Sequence, residues 1–196
     1  MLPRTRVLRR VAVSLATAAS LIWATAGVGT AEAASHHSPA ATSRYASQAK
    51  AFGLNTKEAA TLQRQVDHYL STVGGTQVAA NRIQVPAGTL VLPLPGVKYA
   101  SNSATPTSTK SAQYRCDYGH FCAFTGTNYT GTVFDMYNCV EQYISWMGNG
   151  SWVNNQTTGT QAQFKSSDHV TRWTDPGAYD WDDVADWTWV WYVKPC

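Results

Sequence analysis

Apolar residues recur at helical spacing in one segment. In NTKEAATLQRQVDHYLSTVGG, residues 55–75, Leu62, Val66, Tyr69, Leu70 and Val73 share a face. Asn55 or Thr56 can cap this segment, Glu58 sits where a capping box needs it, and Gly74-Gly75 supplies the stop. The pattern predicts a helix over 56–73. Beyond it, TQVAANRIQV alternates through Val78, Ala80, Ile83 and Val85, with an irregularity near Asn81, and TLVLPLPG is continuously apolar. These two runs predict a hairpin about Pro86-Ala87-Gly88, with Pro93 and Pro95 marking its exit. A helix and a hairpin are too small to bury a robust core alone, so the segment 55–98 is expected to lean on something else. Residues 34–54 show no apolar period and read as a flexible lead-in. The Ser/Thr/Asn/Pro-rich stretch 99–113 reads as a linker.

After the linker the pattern changes. Short aromatic-rich stretches alternate with Gly, Asn and Thr, and seven of the eight tryptophans fall between Trp146 and Trp191. Strands are predicted near 120–125, 131–138, 142–147, 160–165, 169–174 and 187–194. In WTWVWYV, period-two alternation would send Trp187, Trp189, Trp191 and Val193 to one buried face. The chain is thus predicted to be mainly β, with a small sandwich over 114–196 preceded by an α+β helix-plus-hairpin segment.

Compartment decides how the four cysteines are read. Arg4, Arg6, Arg9 and Arg10 precede an apolar run from Val11 to about Val28, and Ala31-Glu32-Ala33 has the form a signal peptidase accepts. Residues 1–33 are therefore expected to be a signal peptide. The run could span a bilayer, but no stop-transfer segment follows it, so no membrane association is expected after cleavage. Without these residues the chain is near neutral, which removes the global support for a nucleic-acid partner. Seven Lys/Arg against two acids occupy 34–110, and four against nine occupy 111–196, so the halves could dock as a pro-region docks or could simply be solvated apart. Outside the cell, four cysteines form two bridges, with three pairings open. Zinc competes through His120 and the sulfurs, but the spacing of structural zinc ligands is missing. Pairing Cys116 with Cys122 and Cys139 with Cys196 would give one short clip and one long clip, the long one removing more freedom from the unfolded chain.

Catalysis finds little support. No G-x-S-x-G, H-E-x-x-H or phosphate loop occurs, and His120 and His169 show no triad partners in the sequence. Asp182 and Asp186 lie in the acid-rich stretch TDPGAYDWDDVAD (174–186), which reads as a solvated loop rather than a hydrolase pair. Trp181, Trp187, Trp189 and Trp191 could instead stack sugar rings, a reading that requires them to be exposed.

The stretch from Cys116 to Gly131, CDYGHFCAFTGTNYTG, resembles the N-terminal signature of the secreted actinobacterial metalloproteinase-inhibitor family. The resemblance implies a βγ-crystallin-like Greek-key fold, local pairing of Cys116 with Cys122, and a folded hairpin built on Phe124, Tyr129 and Gly131. It implies an extracellular, non-enzymatic, monomeric peptidase inhibitor with a protease, favoured as a metalloprotease, for a partner. The family's second cysteine pair is close in sequence, whereas Cys139 and Cys196 are far apart, so no inhibitory loop can be carried over. NNQTTG (154–159) is similar to the calcium motif of microbial βγ-crystallins through Asn154, Asn155 and Thr158. With Gly159 at the last position and no carboxylate, only weak calcium binding is expected, and no other cofactor. The alternative function is a carbohydrate- or cell-wall-binding or antifungal exoprotein of the same fold.

Overall fold

Helix α1 spans Pro39–Ala51 and helix α2 spans Thr56–Val73 in this computed structural model, which describes residues 39–106 and 113–196. The expected signal peptide lies outside the described residues. α1 occupies much of what reads as a flexible lead-in. Its alanines, glutamine and lysine favour a helix, and Tyr45, Ala49 and Phe52 at four- and three-residue steps bury one side. α2 carries the expected capping box: the Asn55 side chain accepts from the Glu58 N–H at 3.0 Å, and the Glu58 carboxylate accepts from the Asn55 N–H at 2.8 Å. Leu62 and Val66 are its buried anchors.

The irregularity at Asn81 is a turn. It divides the first run into β1 (Thr76–Ala79) and β2 (Arg82–Val85), and β3 (Gly88–Val91) follows around Pro86-Ala87. The buried Asn81 amide closes this turn by donating to the Leu92 carbonyl at 2.9 Å. β3 then pairs antiparallel with β5, from Gly88 opposite Met136 to Val91 opposite Val133. The stretch expected to separate two units therefore does not divide the sheet. Its described residues are pinned as well: Arg82 donates to the carbonyls of Ser101, Asn102 and Ser103, and Asn102 exchanges two 2.8 Å hydrogen bonds with the Arg115 backbone. The described residues form one compact unit.

The remaining strands are β4 (His120–Gly126), β5 (Thr130–Met136), β6 (Gln142–Tyr143), β7 (Asn149–Asn155), β8 (Gln163–Lys165), β9 (Thr171–Thr174), β10 (Asp180–Asp186) and β11 (Tyr192–Lys194). They complete a seven-stranded antiparallel sheet, β1-β2-β3-β5-β4-β7-β10, and a four-stranded sheet, β6-β11-β8-β9. Directly opposed residues Ile83, Leu90, Phe134, Ala123 and Trp152 line one face of the large sheet and join the core shared with Phe164, Trp187 and Val193. The other face buries Val91, Val133, Phe124 and Tyr114.

Two sequence expectations fail here. The acid-rich stretch 174–186 contains edge strand β10, not a solvated loop. The run WTWVWYV does not alternate as a strand. The Asp186 carboxylate accepts the N–H and hydroxyl of Thr188, and the Val190 N–H bonds to Trp187 O, making a turn. Burial therefore falls on Trp187, Val190 and Val193, while Trp189 and Trp191 are exposed.

Candidate functional site

Both cysteine pairs are bridged, Cys116 to Cys122 and Cys139 to Cys196. The short bridge closes a loop whose tip, Tyr118, is 73% exposed. Strand β7 braces this loop: the Gly119 N–H donates to Asn155 O at 2.8 Å, and the Asn155 amide donates to Cys116 O at 3.0 Å. The long bridge fastens the turn between β5 and β6, where Tyr137, Asn138, Cys139 and Val140 are exposed in succession. That turn is tied at both ends. The N–H groups of Tyr137 and Asn138 both donate to Ala87 O, at 3.0 and 2.9 Å, and the Asn138 amide donates to Pro86 O. Past the bridge, Glu141 accepts from Lys165 Nζ at 2.6 Å and contacts His169 Nδ1. Burial pushes the Glu141 carboxyl up, but those two partners outweigh it and hold it below its ordinary value.

Phe124, Tyr129 and Gly131 meet in the β4–β5 turn. Tyr129 packs edge-on against Phe124 at 5.6 Å, and Ser151 pins the turn by accepting from the Tyr129 N–H and donating to Gly126 O. Gly131, at φ 81°, must be glycine, because a Cβ there would strike the Thr125 hydroxyl.

The histidines do have acidic partners. His120 Nδ1 lies 2.6 Å from Asp135 Oδ1, and the Tyr114 hydroxyl donates to Asp135 Oδ2 at 2.7 Å. Burial, and next the Asp135 charge, push the Tyr114 hydroxyl above its ordinary value, so it stays protonated. His169 pairs with Glu141 and stacks on Tyr192. Sequence could not reveal these partners, because Asp135 and Glu141 reach the rings across strands. The sulfur nearest the Asp135 cluster, that of Cys122, is oxidised, so the cluster ties β4, β5 and residue 114 together without an activated thiol.

Two of the three residues of the calcium reading have side chains engaged within the fold. Asn154 is fully buried, with its amide donating to Thr160 O at 2.8 Å and Asp175 Oδ2 at 2.7 Å, and its own oxygen taken by the Gln156 N–H. The Asn155 amide donates to Cys116 O, and Thr158 is exposed. Among the described residues, no group of three or more His, Cys, Asp or Glu side chains converges as a metal site.

Among the tryptophans proposed to stack sugars, Trp187 is buried, and its indole N–H donates to Phe124 O at 2.8 Å. Trp181, Trp189 and Trp191 are 54, 37 and 44% exposed.

The signature around the short bridge, the bracing of β7 against it and the pinned β4–β5 turn all lie in one segment. Residues 109–175 match peptidase inhibitor family I36. The resemblance carried by Cys116 to Gly131 is thereby borne out, and it extends through β9. The matched segment contains the short bridge and Cys139, whereas α1, α2, β1–β3, β10 and β11 lie outside it. No curated protein and no solved structure matches the chain. Among the described residues, no helix is long and apolar enough to cross a membrane.

Proposed function

We propose that this chain is a secreted inhibitor of an extracellular metalloprotease, and that Tyr137–Glu141 is its inhibitory segment. The observation that carries this is the bracing of that turn within the inhibitor-family match: four consecutive exposed residues held by β2–β3 carbonyls, a disulfide and the Glu141 contacts. A protease cleft contacts several successive residues, and a segment already fixed loses little conformational freedom on entering it. The Tyr118 turn exposes a shorter run, Asp117, Tyr118 and Gly119, the last without a side chain, and fits that role less well. The matched family consists of peptidase inhibitors, which supports a binding role over a catalytic one. The pinned β4–β5 turn supports a βγ-crystallin-like Greek key as the scaffold, and the four arginines and apolar run before Ala33 support export.

The test is titration of residues 34–196, bridges intact, against a thermolysin-like metalloprotease, with subtilisin and trypsin alongside. Stoichiometric inhibition of the metalloprotease is expected. It should weaken at least about 100-fold in Y137A/V140D and on reduction of the bridges, and be unchanged in Y118A. Inhibition insensitive to Y137A/V140D but lost in Y118A would move the segment to the short bridge. No inhibition of any of the three enzymes would sink the reading.

A carbohydrate- or cell-wall-binding role draws on the exposed Tyr179 and Trp181. Their rings are tilted by 47°, however, where a sugar platform asks for coplanar faces. Retention on insoluble polysaccharide that is lost in W181A would favour it.

A further inference from the structure

The row of opposed residues across the inner face of the large sheet runs from Ile83 to Trp152 and ends on edge strand β10 at a carboxylate, Asp182. A charge at that position keeps a sandwich edge from closing. The edge of the small sheet, β9, is exposed along all four of its residues. Between the two edges lies a cleft of about 250 Å³.

The floor of the cleft is aromatic, made by Trp152, Phe164 and Trp187 where the core comes to the surface. One wall is Trp173 of β9, packed 4.8 Å from Phe164 yet 41% exposed, and the other is Trp189 in the turn after β10. Asp182 and Asp186 form the polar rim. Asp182 Oδ1 accepts the Val184 N–H, and Asp186 Oδ1 accepts both Thr188 donors. Those Thr188 hydrogen bonds hold the Asp186 carboxyl below its ordinary value and favour its charged form. The second oxygen of each carboxylate accepts no hydrogen bond from the described residues. Two cations of the small sheet are engaged elsewhere, Arg172 with Asp168 and Lys165 with Glu141.

We propose that this cleft is a binding site for an arginine side chain presented by a partner protein. Aromatic faces attract a guanidinium and accept its flat stacking, and free carboxylate oxygens take its N–H donors. A neutral sugar ring would cover the same faces but leave both carboxylates without a counter-charge. The cleft shares no residue with Tyr137–Glu141, so the proposal stands independently of the inhibitory segment.

The test follows the tryptophan indole N–H signals of residues 34–196 by NMR during titration with the peptide acetyl-Gly-Arg-Gly-amide. Its citrulline counterpart, of the same shape but uncharged, serves as the control. The arginine peptide is expected to shift Trp173 and Trp189 while the citrulline peptide leaves them in place. D182N and D186N should each weaken binding about tenfold, and D183N, on the same strand outside the cleft, should bind like the parent. Unchanged positions of the remaining indole signals in each variant report that the fold is kept. Equal shifts with both peptides, no shift of Trp173 and Trp189, or full binding in D182N/D186N would overturn the proposal. So would a soluble oligosaccharide that moves these signals where the arginine peptide does not. None of these outcomes alters the protease titration, which reads a different surface.

Discussion

Trp187 ties three parts of the β-region through one side chain. Its indole N–H bonds to Phe124 O in β4, its ring stacks on Phe164 of β8, and Trp146 meets it edge-on. The space it occupies exists because residue 150 is glycine: a Cβ on Gly150 would strike both the indole nitrogen and Phe124 O. G150A should therefore destabilise the fold by about 1–3 kcal/mol through overpacking. W187F should cost about 1–3 kcal/mol by leaving the buried Phe124 carbonyl unpaired. Because both changes act on one contact, the double variant should lose less than the sum. Urea midpoints of the four proteins measure this, and strict additivity would refute the coupling. None of this could be read from the sequence, where Gly150 sits in NGS and resembles turn chemistry, which hid β7 altogether. The cue for the Trp187 turn was present in the Asp186-x-Thr188 pair, whose side-chain hydrogen bonds compete with strand formation.

At the scale of elements, legibility followed the kind of signal each one carries. Helix α2 announces itself through period and cap together. The Pro86–Gly88 hairpin does so through its turn residues. β10 was illegible because an edge strand that guards itself with carboxylates has the composition of a loop. α1 was illegible because its described buried side is only Tyr45, Ala49 and, just past its end, Phe52, too few apolar positions to show a period. The inhibitor signature was legible as a motif, whereas its candidate segment, Tyr137–Glu141, becomes visible only once β2–β3 and Cys196 are seen to hold it. Glu141 makes that bracing testable. Its folded-state pKa is depressed below 4.5, so its contribution is present above that value and is lost as pH falls through the folded-state value. E141Q should lower stability by roughly 1 kcal/mol at pH 7, since the pair with Lys165 is only partly buried. The gap between parent and variant should stay flat down to about pH 5 and close below the ordinary glutamate range. Denaturation midpoints from pH 7 to 3 measure it, and a gap that persists undiminished at pH 3 would contradict the assignment.

At the scale of the molecule, the question is whether the segment before the family match can be removed. Opposite net charge in the two halves suggested electrostatic docking, but the four ion pairs found among the described residues all lie within 113–196. What joins the halves is a ladder and a core. β3 pairs with β5 along four residues, and Ile83, Leu90, Leu92, Phe52 and Leu62 share one cluster with Phe134, Met136 and Trp146. Removing 34–110 would bare the β5 edge and the apolar face beside it, and would release the Ala87 and Pro86 carbonyls that hold Tyr137 and Asn138. Residues 111–196 alone are therefore expected to lack a cooperative thermal transition, to aggregate, and to lose inhibition, while 34–196 melts in one step. Calorimetry and protease titration on the two proteins decide it. A fragment 111–196 that melts cooperatively and inhibits like the longer chain would make the leading segment a removable pro-region. Joint failure of fold and inhibition would make it a structural half of the inhibitor, contributing the carbonyls on which the inhibitory segment rests.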